Sequence, residues 1–162
     1  MARDTHRKTA GQPPRIANKK ARFNFEILEK VEAGIVLKGT EVKSLRAGDA
    51  SLAEAYARID GGRATLHNFQ IQPYKQGNRF NHDPKRVKDL LLHRREIRKL
   101  ASKIQIRGQT LVALSVYFND DGRAKVELAL ARGKTHRDRR QDVRAREDKR
   151  EMARAEHPGA RR

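Results

Sequence analysis

The chain has 162 residues, enough for one domain with its own core plus a tail but not for two full domains. Its 38 Lys and Arg against 20 Asp and Glu leave a formal net charge of +18, which points to a polyanionic partner; with no cysteine, disulfide frameworks, thiolate zinc sites and cysteine nucleophiles are excluded. No apolar run approaches the roughly 20 residues of a membrane-spanning helix and the N-terminus lacks the apolar stretch of a signal peptide, so a soluble, cytoplasmic protein is expected.

Charge gathers at the two ends. Residues 1–22 and 132–162 each carry a net +6, and almost all large apolar side chains lie between them. The expected organisation is a flexible basic N-terminal arm (1–15), a barrel domain (16–132) and a basic C-terminal tail (133–162). Residues 23–30 and 35–38 have the composition of strands around Gly34, and Gly39 introduces a short helix over 40–46 that Gly48 ends. A hairpin follows, in which 52–59 and 63–71 flank Asp60-Gly61-Gly62, whose glycines supply the positive φ of a tight turn. The period then changes. Asp83 as cap and Pro84 at the first helical position predict a helix with Val87, Leu90 and Leu91 as its apolar stripe. A second helix carries Ile97, Leu100, Ala101 and Ile104 inward and stops at Arg107-Gly108. A last hairpin joins 110–118 to 123–131, with Val112, Leu114, Val116 and then Val126, Leu128, Leu130 at period two. The fold class is therefore mainly β with added helices: about six antiparallel strands closed into a small barrel without free edges, two helices covering one end. Beyond it, Val143, Ala145, Met152, Ala153 and Ala155 are too few to dock the tail on the core. Pairs such as Asp142 with Arg146 and Glu147 with Arg150 favour a helix that forms on binding from a disordered free state.

Candidates for catalysis are His82-Asp83, Glu32, Glu41 and Glu54, but none sits in a phosphate-cradling glycine loop, an HExxH helix, a paired metal-carboxylate spacing or a nucleophile elbow. Asp83 before Pro84 is better explained as a helix cap than as a general base. Neither metal nor cofactor is expected. Basic residues recur in three places: Lys19-Lys20-Ala21-Arg22; Arg79 with Lys85-Arg86 and Arg94-Arg95; and the tail. That distribution points to structured RNA held by shape and phosphate contact. Aromatic residues are few, and for Tyr74 and Phe80 base stacking and a core or hinge role both stand.

Three motifs are specific. Ile16-Ala17-Asn18-Lys19-Lys20-Ala21-Arg22, Glu32-Ala33-Gly34-Ile35-Val36-Leu37 and Gly39-Thr40-Glu41-Val42-Lys43-Ser44-Leu45-Arg46-Ala47-Gly48 resemble the signature of the SmpB family, the SsrA-binding proteins. Gln76-Gly77-Asn78-Arg79-Phe80-Asn81-His82-Asp83-Pro84, Leu90-Leu91-Leu92-His93 and Val126-Glu127-Leu128-Ala129-Leu130-Ala131-Arg132-Gly133-Lys134 follow in the family's order, so the resemblance spans about residues 16–150. It implies a fold similar to an oligonucleotide-binding barrel and a monomeric adaptor rather than an enzyme. Such an adaptor binds the tRNA-like domain of transfer-messenger RNA and stands in for the anticodon arm this RNA lacks. It enters the empty decoding site of a stalled ribosome with elongation factor Tu and GTP, and nascent-chain tagging begins.

Position by position, Asn18, Glu32, Leu91 and Gly133 match residues the family uses around its RNA-binding face, with Lys19, Lys20, Arg22 and Lys134 beside them as phosphate contacts. Structural roles compete: Leu91 as core and Gly133 as the release of the last strand are favoured over direct contact, while Glu32 and Asn18 stay open between contact and fold. The tail departs from the family's Gly-Lys-Lys-x-His-Asp-Lys-Arg, since Gly133-Lys134-Thr135-His136-Arg137-Asp138-Arg139-Arg140 puts Arg137 in the histidine place and His136 one residue earlier. The resemblance assigns these five tail positions to the decoding site and message channel. Arg139 and Arg140 would touch phosphates, His136 or Arg137 would stack, and Asp138 would be a contact or merely a helix cap. A ribosomal structural protein on ribosomal RNA and an RNA-processing enzyme remain the other classes.

Overall fold

The computed structural model describes residues 13–77 and 81–156, without the side chains of His136 and Glu156. Expectations for residues 1–12, Arg79, Phe80 and the His136 side chain fall outside the described residues. In chain order the elements are β1 (Ile16–Ala17), α1 (Lys19–Asn24), β2 (Phe25–Ile35), α2 (Gly39–Ala47), β3 (Ala50–Ser51), β4 (Tyr56–Asp60), β5 (Arg63–His67), β6 (Gln70–Ile71), β7 (Lys88–Leu91), α3 (Arg94–Ile104), β8 (Gln109–Phe118), β9 (Ala124–Gly133) and α4 (His136–Glu156).

The strands close a ring. Going round, β2 pairs with β7, β7 with β5, β5 with β4, β4 with β8, β8 with β9, and β9 again with β2, every pair antiparallel. This is the edge-free barrel expected from the sequence. β1 continues the edge of β8 beyond β4, with Ile16 opposite Val116, and β3 and β6 form a separate two-stranded ribbon. Leu66, Leu111, Val116, Val126 and Leu128 fill the interior, joined by Leu45 from α2 and Leu100 from α3. The turn between β4 and β5 has positive φ at both Gly61 and Gly62, the geometry for which two glycines are the natural choice.

Several expected elements are corrected. Residues 19–24 form a helix, so the strand expected over 23–30 begins at Phe25, and β2 runs unbroken through Gly34 to Ile35, so 35–38 form no second strand. The helix expected from Asp83 is absent. Asp83 instead accepts a bond from the Lys85 N–H at 2.9 Å, and β7 follows, with Lys88 and Leu90 buried and Asp89 and Leu91 turned outward. Apolar residues at 87, 90 and 91 fit either period over so short a stretch; the strand wins because β5 and β2 would otherwise each keep an open edge. Only α3 therefore lies between the hairpins. The first hairpin is also shorter than expected, because Gln70–Ile71 leave it to pair with β3.

Two bulges set the outward face. Pairing of β2 with β9 shifts between Ile27 and Glu29, and that of β8 with β9 between Ala113 and Ser115. One extra residue reverses which side chains point out. Before the shift, Phe25 and Ile27 lie outside with Val112, Leu114, Ala129 and Ala131, packed beneath Ala21 of α1. After it, Val31, Ala33 and Ile35 join the interior, and the alternate residues Lys30 and Glu32 take the outer face.

Candidate nucleic-acid interface

Asn18 stands where the chain leaves β1 and enters α1. Its Oδ1 accepts from the Ala21 N–H at 3.0 Å, the N-cap bond, while its Nδ2 donates to the carbonyls of Leu52 at 2.6 Å and Ala113 at 3.1 Å. The Asn18 N–H reaches the Leu114 carbonyl at the β8 bulge at 2.8 Å. The side chain is buried and its donors are used. It fixes α1 upon the barrel. From that helix Lys19, Lys20 and Arg22 face solvent.

Below α1 the outer face carries a charge network. Arg15 donates to Ser115 Oγ at 2.7 Å and to Glu127 Oε2 at 2.8 Å, and its guanidinium lies over the Tyr117 ring at 4.8 Å. Glu127 also takes Lys30 at 3.2 Å. Directly across the β2–β9 ladder stands Glu32, so two carboxylates oppose each other, an unfavourable pairing on its own. The cations Arg15, Lys30 and Lys125 neutralise it, Lys125 lying 3.4 Å from Glu32. Tyr117 donates its hydroxyl to Glu32, which holds that carboxyl below its ordinary range; burial together with this bond pushes Tyr117 up to about 12. Glu32 nonetheless keeps half its side chain in solvent.

The same face continues to Leu91. Gly34 lies opposite Leu91 in the β2–β7 ladder, and a Cβ on Gly34 would sit 3.2 Å from the Leu91 Cβ, so the glycine is what lets that side chain lie across β2. Leu91 is 62% exposed, which corrects the expectation that it belongs to the core. It borders a groove of about 1090 Å³ that also takes in Glu32, Lys125, Leu92 and, from α3, Glu96 and Lys99. The helix is clamped there by Lys99 and Lys103, both bonded to Glu29, whose carboxyl they hold low.

Gly133 closes β9 opposite Phe25 and is exposed, and the ladder runs one step further as the Lys134 N–H meets the Asn24 carbonyl at 2.9 Å. Asp138 caps α4: its Oδ2 accepts from the Thr135 N–H at 3.0 Å and from the Thr135 hydroxyl at 2.6 Å, bonds that lower its pKa. Asp142 pairs with Lys134 at 2.5 Å and not with Arg146, and among the described residues Glu147 and Arg150 form no ion pair. Arg137 and Arg140 are exposed, whereas Arg139 is half-buried and donates to the Lys134 carbonyl at 3.2 Å. Two of the catalytic candidates, His82 and Glu41, hold structure. His82 is buried between Thr40 Oγ1 and the Ile71 carbonyl, each at 3.0 Å, and buried Glu41 receives Arg86 at 2.7 Å and the Lys38 N–H at 2.6 Å. Among the described residues no group of three or more His, Asp or Glu could hold a metal ion.

Glu32 and Leu91 on the outer face of β2 and β7, Gly133 and Lys134 at the end of β9 beside Asn24, and exposed Lys19, Lys20 and Arg22 on α1 make up the candidate face, with buried Asn18 holding α1 from within. Arg15, Lys30, Tyr117 and Glu127 complete it and were missed in the sequence, although Ser115, Tyr117, Lys125 and Glu127 occupy the polar outward positions of a period-two hairpin.

A closed antiparallel barrel bearing one basic, partly apolar outer side and a charged helical tail is the architecture of a small RNA-binding barrel protein. The family model described as SmpB protein matches residues 15–157. An SsrA-binding protein of Desulforamulus reducens is 53% identical over 138 residues, covering 85% of this chain and 86% of that protein. Another, of Desulforudis audaxviator, is 57% identical over 138 residues, covering 85% and 90%. A chain of a solved structure described as "tmRNA-SmpB: a journey to the center of the bacterial ribosome" superposes with a TM-score of 0.66 at 51% identity, covering 76% of this chain and 86% of its own. The chain belongs to the SmpB family.

Proposed function

We propose that this protein is an adaptor of ribosome rescue: it binds the tRNA-like domain of transfer-messenger RNA, enters the vacant decoding site with elongation factor Tu and GTP, and permits tagging of the stalled nascent chain. The observation that carries this reading is the outer face from α1 to Leu91, where exposed cations on α1 adjoin a network of shared charges that RNA phosphates can enter. Names of the relatives support the RNA: they are SsrA-binding proteins, and the solved neighbour is described with tmRNA and the bacterial ribosome.

In this reading residues 16–132 dock the RNA and residues 133–162 probe the empty message channel in the cytoplasm, with no chemistry of the protein's own. Asn18 positions α1, Lys19, Lys20 and Arg22 meet phosphates, Glu32 and Leu91 complete the face, and Gly133 and Lys134 launch the tail. The 21 residues of α4 span about 30 Å, long enough to test whether message lies downstream. Its distal turns have too little apolar surface to hold a helix alone, so RNA orders them. Arg139 and Arg140 would then take phosphates and His136 or Arg137 would stack. The deciding experiment is to recover the protein from cells and sequence the bound RNA. A single dominant tRNA-like species supports the adaptor, stoichiometric ribosomal RNA in its place supports a structural ribosomal protein, and cleavage of labelled RNA by the purified chain supports an enzyme.

A further inference from the structure

Phe23 is the aromatic residue of α1, and the barrel does not use it. The helix packs on β8 and β9 through Ala21, and the aromatic beneath it is Phe25 of β2; Phe23 belongs to neither apolar cluster. Its ring is covered from the other side. The Arg146 guanidinium lies 5.2 Å from the ring centroid, and Phe23 shares a shallow groove with Val143 and Arg139 of α4. Positions 139, 143 and 146 follow the helical period, so they form one stripe of α4 aimed at α1. Two further bonds hold the first turns in that direction: Lys134 to Asp142 at 2.5 Å and Arg139 to the Lys134 carbonyl at 3.2 Å. The side chains described beyond Arg146 are exposed.

We propose that Phe23 and Arg146 are a positioning pair that seats the proximal half of the tail on the RNA-facing helix α1, so that tail direction and occupancy of that helix are coupled. The contact suits release. An exposed guanidinium over a half-buried ring is weakly held, and a phosphate is a competing partner for the same cation. Phosphates drawn to Lys19, Lys20 and Arg22 arrive beside the seat, and Arg146 can then leave the ring for the nucleic acid while Gly133 and Thr135 absorb the change of direction. The coupling to RNA rests on the adaptor reading; the seat itself does not.

The seat is tested in the full chain without any RNA. Because the sequence contains no cysteine, Met152→Cys gives a single position for a nitroxide label, about 9 Å along the helix from Arg146. With the tail seated, the label broadens the amide signals of residues 19–24. Phe23→Ala and, separately, Arg146→Gln are expected to abolish that broadening while barrel signals stay in place, and Phe23→Tyr is expected to preserve it. Broadening that is absent from the parent chain, or that survives both Phe23→Ala and Arg146→Gln, overturns the proposal. Titration with the isolated tRNA-like RNA is the second arm. Seating predicts that the label's effect on α1 fades as RNA is added and that Phe23→Ala leaves RNA affinity within about twofold. A tenfold loss in Phe23→Ala with none in Arg146→Gln would make Phe23 a base-stacking residue and sink the seat as its role.

Discussion

The barrel and the tail carry charge under opposite conditions. Inside the barrel, Glu41, Arg86 and Lys88 form a closed set: Glu41 receives both the Arg86 guanidinium and a backbone N–H, and the fully buried Lys88 donates to the Phe69 carbonyl at 2.6 Å with its ammonium over the Phe69 ring. Burial alone would raise Glu41, but Arg86 and the Lys38 N–H outweigh it and hold the carboxyl low. On α4, among the described residues, Asp142 with Lys134 is the one ion pair, and most arginines face water. Buried charges must be satisfied within the fold, because removing one partner leaves the others desolvated. Exposed ones lose little when they exchange a neighbour, and a polyanion can recruit them. The first arrangement secures shape and the second stays available for binding.

The largest effect should come from removing the second region altogether. Truncation after Gly133 is expected to abolish tagging on stalled ribosomes in a reconstituted system while affinity for the isolated tRNA-like RNA and the thermal midpoint stay nearly unchanged; a matching loss of RNA affinity would erase the distinction between the regions. Breaking the first region should act on stability instead. Glu41→Ala leaves Arg86 and Lys88 without their carboxylate and should destabilise the fold by about 3 to 5 kcal/mol in denaturant titration. A destabilisation under about 1 kcal/mol would mean that the cluster is open to water after all.

Smaller effects sharpen the contrast. Replacing Lys19, Lys20 and Arg22 by Ala should leave stability alone and lower the slope of log affinity against log salt by roughly 2 to 3, at about 0.7 to 0.9 for each phosphate that is no longer neutralised. An unchanged slope would remove α1 from the interface. The subtlest test is pH. Burial lowers Lys88 from 10.5 to about 8, so between these values the unfolded chain binds a proton that the folded chain has released. Stability attributable to Lys88 therefore rises with pH from about 8 to 10.5, and Lys88→Met should flatten that rise. An identical pH profile in Lys88→Met would show that this ammonium is hydrated.

Legibility in the sequence followed the length of each periodic signal. The hairpin of β8 and β9 offers ten residues per strand, and its alternation is plain. Four-residue β7 has two apolar positions, Leu90 and Leu91, which together with the preceding Val87 suit a helix equally, and only the need to close β5 against β2 decides for a strand. α1 was hidden because its one buried residue is Ala21 and its cap, Asn18, looks from sequence like a polar contact residue. The site behaved alike. Basic runs and family motifs were visible, but Arg15 meets Tyr117 and Glu127 across about a hundred residues of chain, and only the folded register brings them together. The seat proposed for the tail has no sequence signal of its own, because it rests on one cation over one ring and on no apolar stripe.

The bulge at Leu28 bears on how this family member can change length. Loops of the barrel can gain or lose residues with modest consequence, since closure entropy grows slowly with loop size. Strand β2 has such latitude only at its bulge. Deleting Leu28 would remove the extra residue and restore an unbroken alternation, with Phe25 and Ile27 still beneath α1, Lys30 and Glu32 still outside and Val31 and Ala33 still inside; deleting a residue further along the strand would instead turn side chains to the opposite face. A single-codon deletion at Leu28 should thus be the mildest in the strand, and a deletion scan across residues 25–35 would show tolerance centred on the bulge and falling off on either side.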